Sequence, residues 1–359
     1  MIRQNNFDFL RLVFAALVII SHAYPLTGLS DCDLLCQVTD GQLNFSFIGL
    51  KGFFVISGYL VMASALRSQN VVDYIWKRCL RLFPALFVCL LITLPIVSLF
   101  HESTSESPGF WHQWSTYSYI PRNVSLYLLQ YDIQGVFVSN PYPIVINGSL
   151  WTIAYEFHLY LILVPLFLFR KFSKATSMIV YLFFSILVVS HLSTVTEPQT
   201  HHSGLVDVIL WDLGTYFMGG ALLQISGFNL HDRRYIYISA CLLGIVTSIV
   251  IGKFHLVKYI LFAPLVVTIG ISNTPFISKV HEWIGDISYG VYIYAFPVQQ
   301  ALVYMYRLDH SLLIFATYLI VFPLAYLSWH LIEKKALRWK SWGSSVYDFM
   351  ASRFNYPGY

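Results

Sequence analysis

The chain has 359 residues, of which 57% are hydrophobic, 17% aromatic and only 11% charged, far from the soluble average of about 25% charged. That balance excludes an ordinary soluble domain, and the formal charge of +4 says less than where the basic residues fall. Nucleotide-binding glycine loops, Cys/His zinc spacings and basic-aromatic nucleic-acid patches are all missing from the sequence.

The first apolar run, Phe7 to Tyr24, reads FDFLRLVFAALVIISHAY and carries Asp8, Arg11 and His22. An arginine near the centre of an isolated spanning helix costs about 2.5 to 3.5 kcal/mol, so such a residue normally faces a bundle interior or a wet cavity. Arg11 and His22 are eleven residues apart, about 1100° of rotation and within about 20° of three whole turns, so they share one face with a rise of about 16 Å between them. Two other readings compete. A lone histidine near a helix end is often interfacial, and Ser21-His22-Ala23 has the small residues of a signal-peptide cleavage site, although Arg11 interrupts what should be an uncharged core.

Further spans are expected at about residues 48–65, 83–100, 149–169, 178–192, 206–225, 235–251, 257–272, 287–306 and 311–331, making ten. The expectation is an all-α polytopic bundle, one membrane domain over 1–340 with a tail over 341–359. With a cytoplasmic N-terminus, sixteen basic residues face the cytoplasm and five face outward (Lys51, Arg122, Lys253, Lys258 and Arg307), Arg11 lying in the membrane. Both termini are then cytoplasmic. Cys32 and Cys36, in the first outward segment, either close a small disulfide in an oxidising periplasm or remain two thiols. The outward segment 101–148 holds Trp111, Trp114, Tyr117, Tyr119, Tyr127, Tyr131 and Tyr142, rings that suit sugar stacking or interfacial anchoring alike.

Four motifs carry the remaining signal. GFFVISGYL (Gly52–Leu60) supplies the small residues Gly52, Ser57 and Gly58 for close helix packing. DYIWKRCLRLFPAL clusters Lys77, Arg78 and Arg81 just before Pro84, where the third span is expected to start. NGSLWTIAYEFHLYL (Asn147–Leu161) spaces Thr152, Glu156 and Tyr160 by four residues, a polar stripe facing into the bundle, with Glu156 about 10 Å below the outward helix end. That depth matches His22, so Glu156 is expected to orient its imidazole; the alternative for Glu156 is a structural hydrogen bond. His158 points elsewhere, Asp207 and Asp212 begin the sixth span, and SWHLIEKKALRWK closes the bundle with Glu333 in a structural role.

The Arg-x10-His first helix, the Arg-x-x-Arg-Leu-x-Pro cluster, the LWTIAYE segment and YGVYIYAFP (Tyr289–Pro297) together resemble the acyltransferase-3 family of bacterial integral-membrane O-acyltransferases, over nearly the whole chain. One departure is Ala295, where many members carry His. The resemblance implies acetyl-CoA as acyl donor, held by Arg78, Arg81, Lys77 and Arg11, and no metal. It implies a catalytic group of His22, Glu156 and Arg11, with Trp151, Tyr155 and Tyr160 contacting the substrate. The acceptor would be a lipid-linked or polymeric glycan such as O-antigen, the protein a multi-pass protein of the bacterial inner membrane, and its partners lipids rather than nucleic acid. A proton-coupled transporter or lipid-linked glycan exporter is the alternative from another class, since intramembrane Arg, His, Glu and Asp suit it equally.

Overall fold

A computed structural model describes residues 5–102, 109–169, 173–194, 208–228, 233–343 and 345. Arg3, Arg170, Lys171, Asp207, Arg353 and most of the expected 341–359 tail lie outside these residues. No β-strand occurs among the described residues, and the protein is an all-α polytopic bundle. Helices occupy every expected span: α1 (Phe7–Leu26), α3 (Phe45–Arg67), α4 (Val71–Val97), α6 with α7 (Leu150–Ile162 and Leu166–Phe169), α8 (Ser173–Thr194), α9 (Val208–Ile225), α10 (Arg234–Val250), α11 (Phe254–Ile271), α13 (Ser288–Tyr306) and α14 (His310–Ser328). Among the described residues, six helices are long and apolar enough to cross a membrane by length and composition alone. The shorter or more polar ones depend on neighbours; α13, with two glutamines and five tyrosines in its run, is the most buried of them.

Two boundaries differ from expectation, both for reasons of capping. Helix α4 begins at Val71 rather than near Pro84, because Asn70 caps it through its side-chain oxygen on the Asp73 N–H (2.8 Å) and Asp73 complements the helix N-terminus. Lys77, Arg78 and Arg81 therefore stand on a helix, with Pro84 and Pro95 inside it. Helix α3 begins at Phe45 rather than at residue 48, capped by Asn44 on the Phe47 N–H (2.6 Å), which sets Lys51 a full turn and more inside the helix. Upstream, the short helix α2 (Leu34–Val38) carries the Cys32–Cys36 disulfide, Cα atoms 5.1 Å apart.

The packing centre is the contact of α3 with α9. A Cβ on Gly58 would fall 1.8 Å from the Phe217 carbonyl oxygen, and one on Gly220 2.0 Å from that of Val55. Only glycine allows backbones to approach so closely, the small-residue packing expected of helices in lipid. Helix α1 lies on the other side of α3, where the Phe14 ring fills the space that a Gly52 side chain would need. Between α1, α3, α4, α6 and α13 the bundle stays open.

Candidate active site

That opening is a cavity of about 630 Å³. Arg11 of α1, Ser57 and Arg67 of α3, Lys77, Arg78 and Arg81 of α4, Glu156 and Tyr160 of α6, and Lys334 and Lys340 from the chain after α14 all line it. One turn of α4 separates Lys77 from Arg81, and Arg78 follows Lys77 directly, so three cations reach one wall.

The charges are unequally compensated. Asp286, in the turn between α12 (Val280–Ile284) and α13, accepts on one oxygen from Arg11 Nη1 at 3.0 Å and Arg81 Nη2 at 2.7 Å, and on the other from Ser288 Oγ at 2.7 Å. Burial alone would push the Asp286 carboxyl up, but Arg81 and Arg11 outweigh it and hold the group below the usual carboxylate range. Arg81 also lies 3.6 Å from the buried Glu333, and Lys77 pairs with Asp73 at 2.6 Å. Arg78 differs. Its Nη2 donates to Ser64 Oγ at 3.2 Å and its guanidinium lies over the Tyr160 ring at 5.7 Å. It pairs with no carboxylate among the described residues, and its Nε is buried without a hydrogen-bond acceptor. A guanidinium held beside open space with a buried N–H unspent is a ready site for a bidentate anion such as phosphate.

At the rim His281 binds Asp8 through Nδ1 at 3.0 Å, a bond that raises the histidine's pKa. Deeper in, the expected polar stripe does face the void. Glu156 Oε1 accepts from Ser57 Oγ and Tyr160 Oη, both at 2.5 Å, and Thr152 Oγ1 pairs with Tyr292 Oη at 2.5 Å. Ser57, expected to serve packing alone, is thus a cavity hydroxyl.

The sequence-derived candidates divide. Arg11, Lys77, Arg78, Arg81, Glu156 and Tyr160 come together in the cavity. His22 is not among its lining residues; its ring stands edge-on to Phe296 at 5.4 Å, with Nδ1 buried and unpartnered. The expected bond between Glu156 and His22 is not formed: Glu156 meets Ser57 of α3 and Tyr160 of α6, while the His22 ring stands against Phe296 of α13. Trp151 and Tyr155 pack edge-to-face on each other at 5.8 Å, outside the cavity lining. Sequence reasoning missed Asp286. A lone acid in the Gly-Asp-Ile-Ser turn before an apolar span was the available signal for Asp286. No cluster of metal-ligating side chains occurs among the described residues.

A polytopic helix bundle holding an arginine-lined cavity beside buried hydroxyls and a carboxylate defines a multi-pass membrane protein with an internal cation-rich cavity. The family is settled by comparison: an acyltransferase domain matches residues 4–330, and the chain belongs to that acyltransferase-3 family. It is an acyltransferase. The chain is similar to an O-acetyl transferase of Shigella phage Sf6, 29% identical over 93% of this chain and 96% of that one. It is similar to nodulation protein 10 of Rhizobium leguminosarum bv. viciae, 28% identical over 93% and 94% respectively. The peptidoglycan O-acetyltransferase OatA of Listeria monocytogenes is 27% identical over 72% of this chain and 46% of its own. No solved structure matches the chain.

Proposed function

We propose that this protein is an inner-membrane O-acetyltransferase that takes acetyl from cytoplasmic acetyl-CoA and places it on a hydroxyl of a periplasm-facing glycan, an O-antigen or other surface polysaccharide. The observation that carries this reading is Arg78: a guanidinium with a buried Nε and no carboxylate partner among the described residues, beside a cavity rimmed by Arg67, Lys334 and Lys340. The phage and Listeria relatives are named as O-acetyl transferases, the latter for peptidoglycan. The excess of basic residues puts the cavity mouth on the cytoplasmic side, where coenzyme phosphates bind Arg78, with Lys77, Arg81 and Arg11 alongside. The uncharged pantetheine arm passes Ser57, Glu156 and Tyr160 along α1, which carries Arg11 and His22 about 16 Å apart.

At the outward end His22 takes the proton of the acceptor hydroxyl as that oxygen attacks the thioester carbonyl; the C–S bond breaks, the acetyl oxygen ester forms, and the thiolate leaves and is protonated to free coenzyme A. Glu156 holds the Ser57 and Tyr160 hydroxyls along the donor path. Trp151 and Tyr155 are assigned to the acceptor. The test is acetyl-CoA binding and thioester cleavage by purified protein in lipid nanodiscs, alongside mass spectrometry of the host glycan with and without the gene. Acetyl-CoA consumption with matching glycan acetylation is expected. Protein that neither binds nor cleaves acetyl-CoA, yet moves glycan across vesicle membranes, would overturn the reading in favour of transport.

A further inference from the structure

A base that works through Nε2 needs a partner on Nδ1 to fix its tautomer. Among the described residues His22 has none in place, and Glu156 is engaged elsewhere. We propose that Gln299 of α13 is the positioning residue for His22, its Oε1 accepting the Nδ1–H and leaving the Nε2 lone pair to take the acceptor's proton. The proposal rests on His22 being the base.

Gln299 is fully buried, and its Nε2 donates to the Ile19 carbonyl of α1 at 3.0 Å. Only the NH2 end of an amide can donate to a carbonyl, so this bond fixes the orientation of the side chain and leaves Oε1 as the free end. That Oε1 is buried with no hydrogen-bond partner among the described residues. Ile19 precedes His22 by three residues on α1, and a helical side chain leans over the turn N-terminal to its own Cα, which here is the turn holding Ile19. On α13, Phe296, whose ring meets the imidazole, lies three residues before Gln299 and so on the same helix face. Two complementary orphaned atoms thus sit at one junction of α1 and α13.

The neighbouring Gln300 shows what a purely structural glutamine does in this helix. Its Nε2 donates to the carbonyls of Tyr142 (2.9 Å) and Val145 (2.6 Å), and its Oε1 accepts from Asn140 Nδ2 (2.8 Å). Nothing on Gln300 is left over. Gln299 keeps one acceptor in reserve, and hydrogen bonds in active sites commonly tighten only when substrate arrives; the proposed bond is made by rotation of the imidazole about Cβ–Cγ.

The test combines kinetics with 15N NMR of histidine-labelled protein in nanodiscs, the His22 signals being assigned by their loss in His22→Ala. Gln299→Leu should lower kcat at least about tenfold, as loss of an orienting partner typically does, with the KM for acetyl-CoA within about twofold. Gln299→Glu keeps an acceptor oxygen and should restore most of kcat. With the glycan acceptor bound, the wild-type spectrum should show His22 protonated on Nδ1, and the Leu variant a mixture of tautomers. His22 protonated on Nε2 in the acceptor-bound wild type, or a folded Gln299→Leu protein with unchanged kcat, would overturn the proposal. Should Gln299→Leu not fold, the acceptor-bound wild-type tautomer alone decides. Failure of the base reading is separate: it appears as full activity in His22→Ala, which removes the positioning role as well, whereas loss in His22→Ala without loss in Gln299→Leu sinks only the role of Gln299.

Discussion

The bundle holds two clusters of charged side chains, and they behave differently. Lys51 of α3 pairs with Asp212 of α9, Tyr259 of α11 donates to the same carboxylate at 2.7 Å, and Lys51 lies over the Tyr216 ring at 5.5 Å. Neither Lys51 nor Asp212 touches the cavity. Asp286 is likewise saturated, by Arg11, Arg81 and Ser288, but its cluster adjoins open space and Arg78, which has no carboxylate partner among the described residues. A charge within a membrane protein therefore marks function only when it exceeds its partners and faces a void; a closed pair ties helices together.

Four experiments bear on this contrast. The largest effect is expected for Asp286→Ala. It leaves Arg11 and Arg81 short of a shared acid that is 8% exposed, so stability in detergent should fall by about 3–5 kcal/mol, read from denaturant or thermal unfolding. A fall of less than about 1 kcal/mol would mean that Asp286 is not the clamp between the two arginines. In the closed cluster, Asp212→Ala should cost somewhat less, about 3 kcal/mol, since both partners retain some exposure, while acetyl-CoA affinity stays unchanged. Weakened donor binding in that variant would erase the distinction between the clusters.

Arg78→Ala inverts the pattern. Removing a charge that has no acidic partner among the described residues should leave the melting temperature intact and weaken acetyl-CoA binding by about 1.5–3 kcal/mol, measured calorimetrically, with Arg78→Lys recovering only part of it. Unchanged affinity in Arg78→Ala would return the basic wall to a topological anchor.

The smallest effect is set by pH. The Asp8 bond raises the pKa of His281 above its ordinary 6.5, so its stabilising contribution is complete below 6.5 and disappears as pH rises through the raised value. The melting temperature of His281→Gln should accordingly trail the wild type at about pH 6 and converge with it by about pH 9. Asp286 runs the other way, its contribution present above 3.8 and lost as pH falls toward its lowered value. A His281→Gln deficit that persists at high pH would assign the residue to packing.

Much of this was legible in the sequence because membrane burial leaves local marks. Runs of apolar residues located a helix at each of the ten expected spans, since a backbone in lipid must satisfy its own hydrogen bonds. The four-residue spacing of Thr152, Glu156 and Tyr160 gave the polar face of α6, and the cluster at Lys77, Arg78 and Arg81 gave a wall of the cavity, because helical periodicity is a property of the chain alone. Which residues meet was decided only in three dimensions. Depth along separate helices suggested that Glu156 would reach His22, but lateral position around the bundle sent Glu156 to Ser57 and Tyr160 and set His22 against Phe296. Asp286 lies more than two hundred residues from Arg11 and Arg81, and no spacing rule connects residues across that distance. The glycines at 58 and 220 advertise close packing, yet only the crossing of α3 and α9 pairs them with the carbonyls of Phe217 and Val55. Helices and their faces follow from local hydrogen bonding and periodicity; their rotation and neighbours follow from side-chain packing summed over the whole bundle.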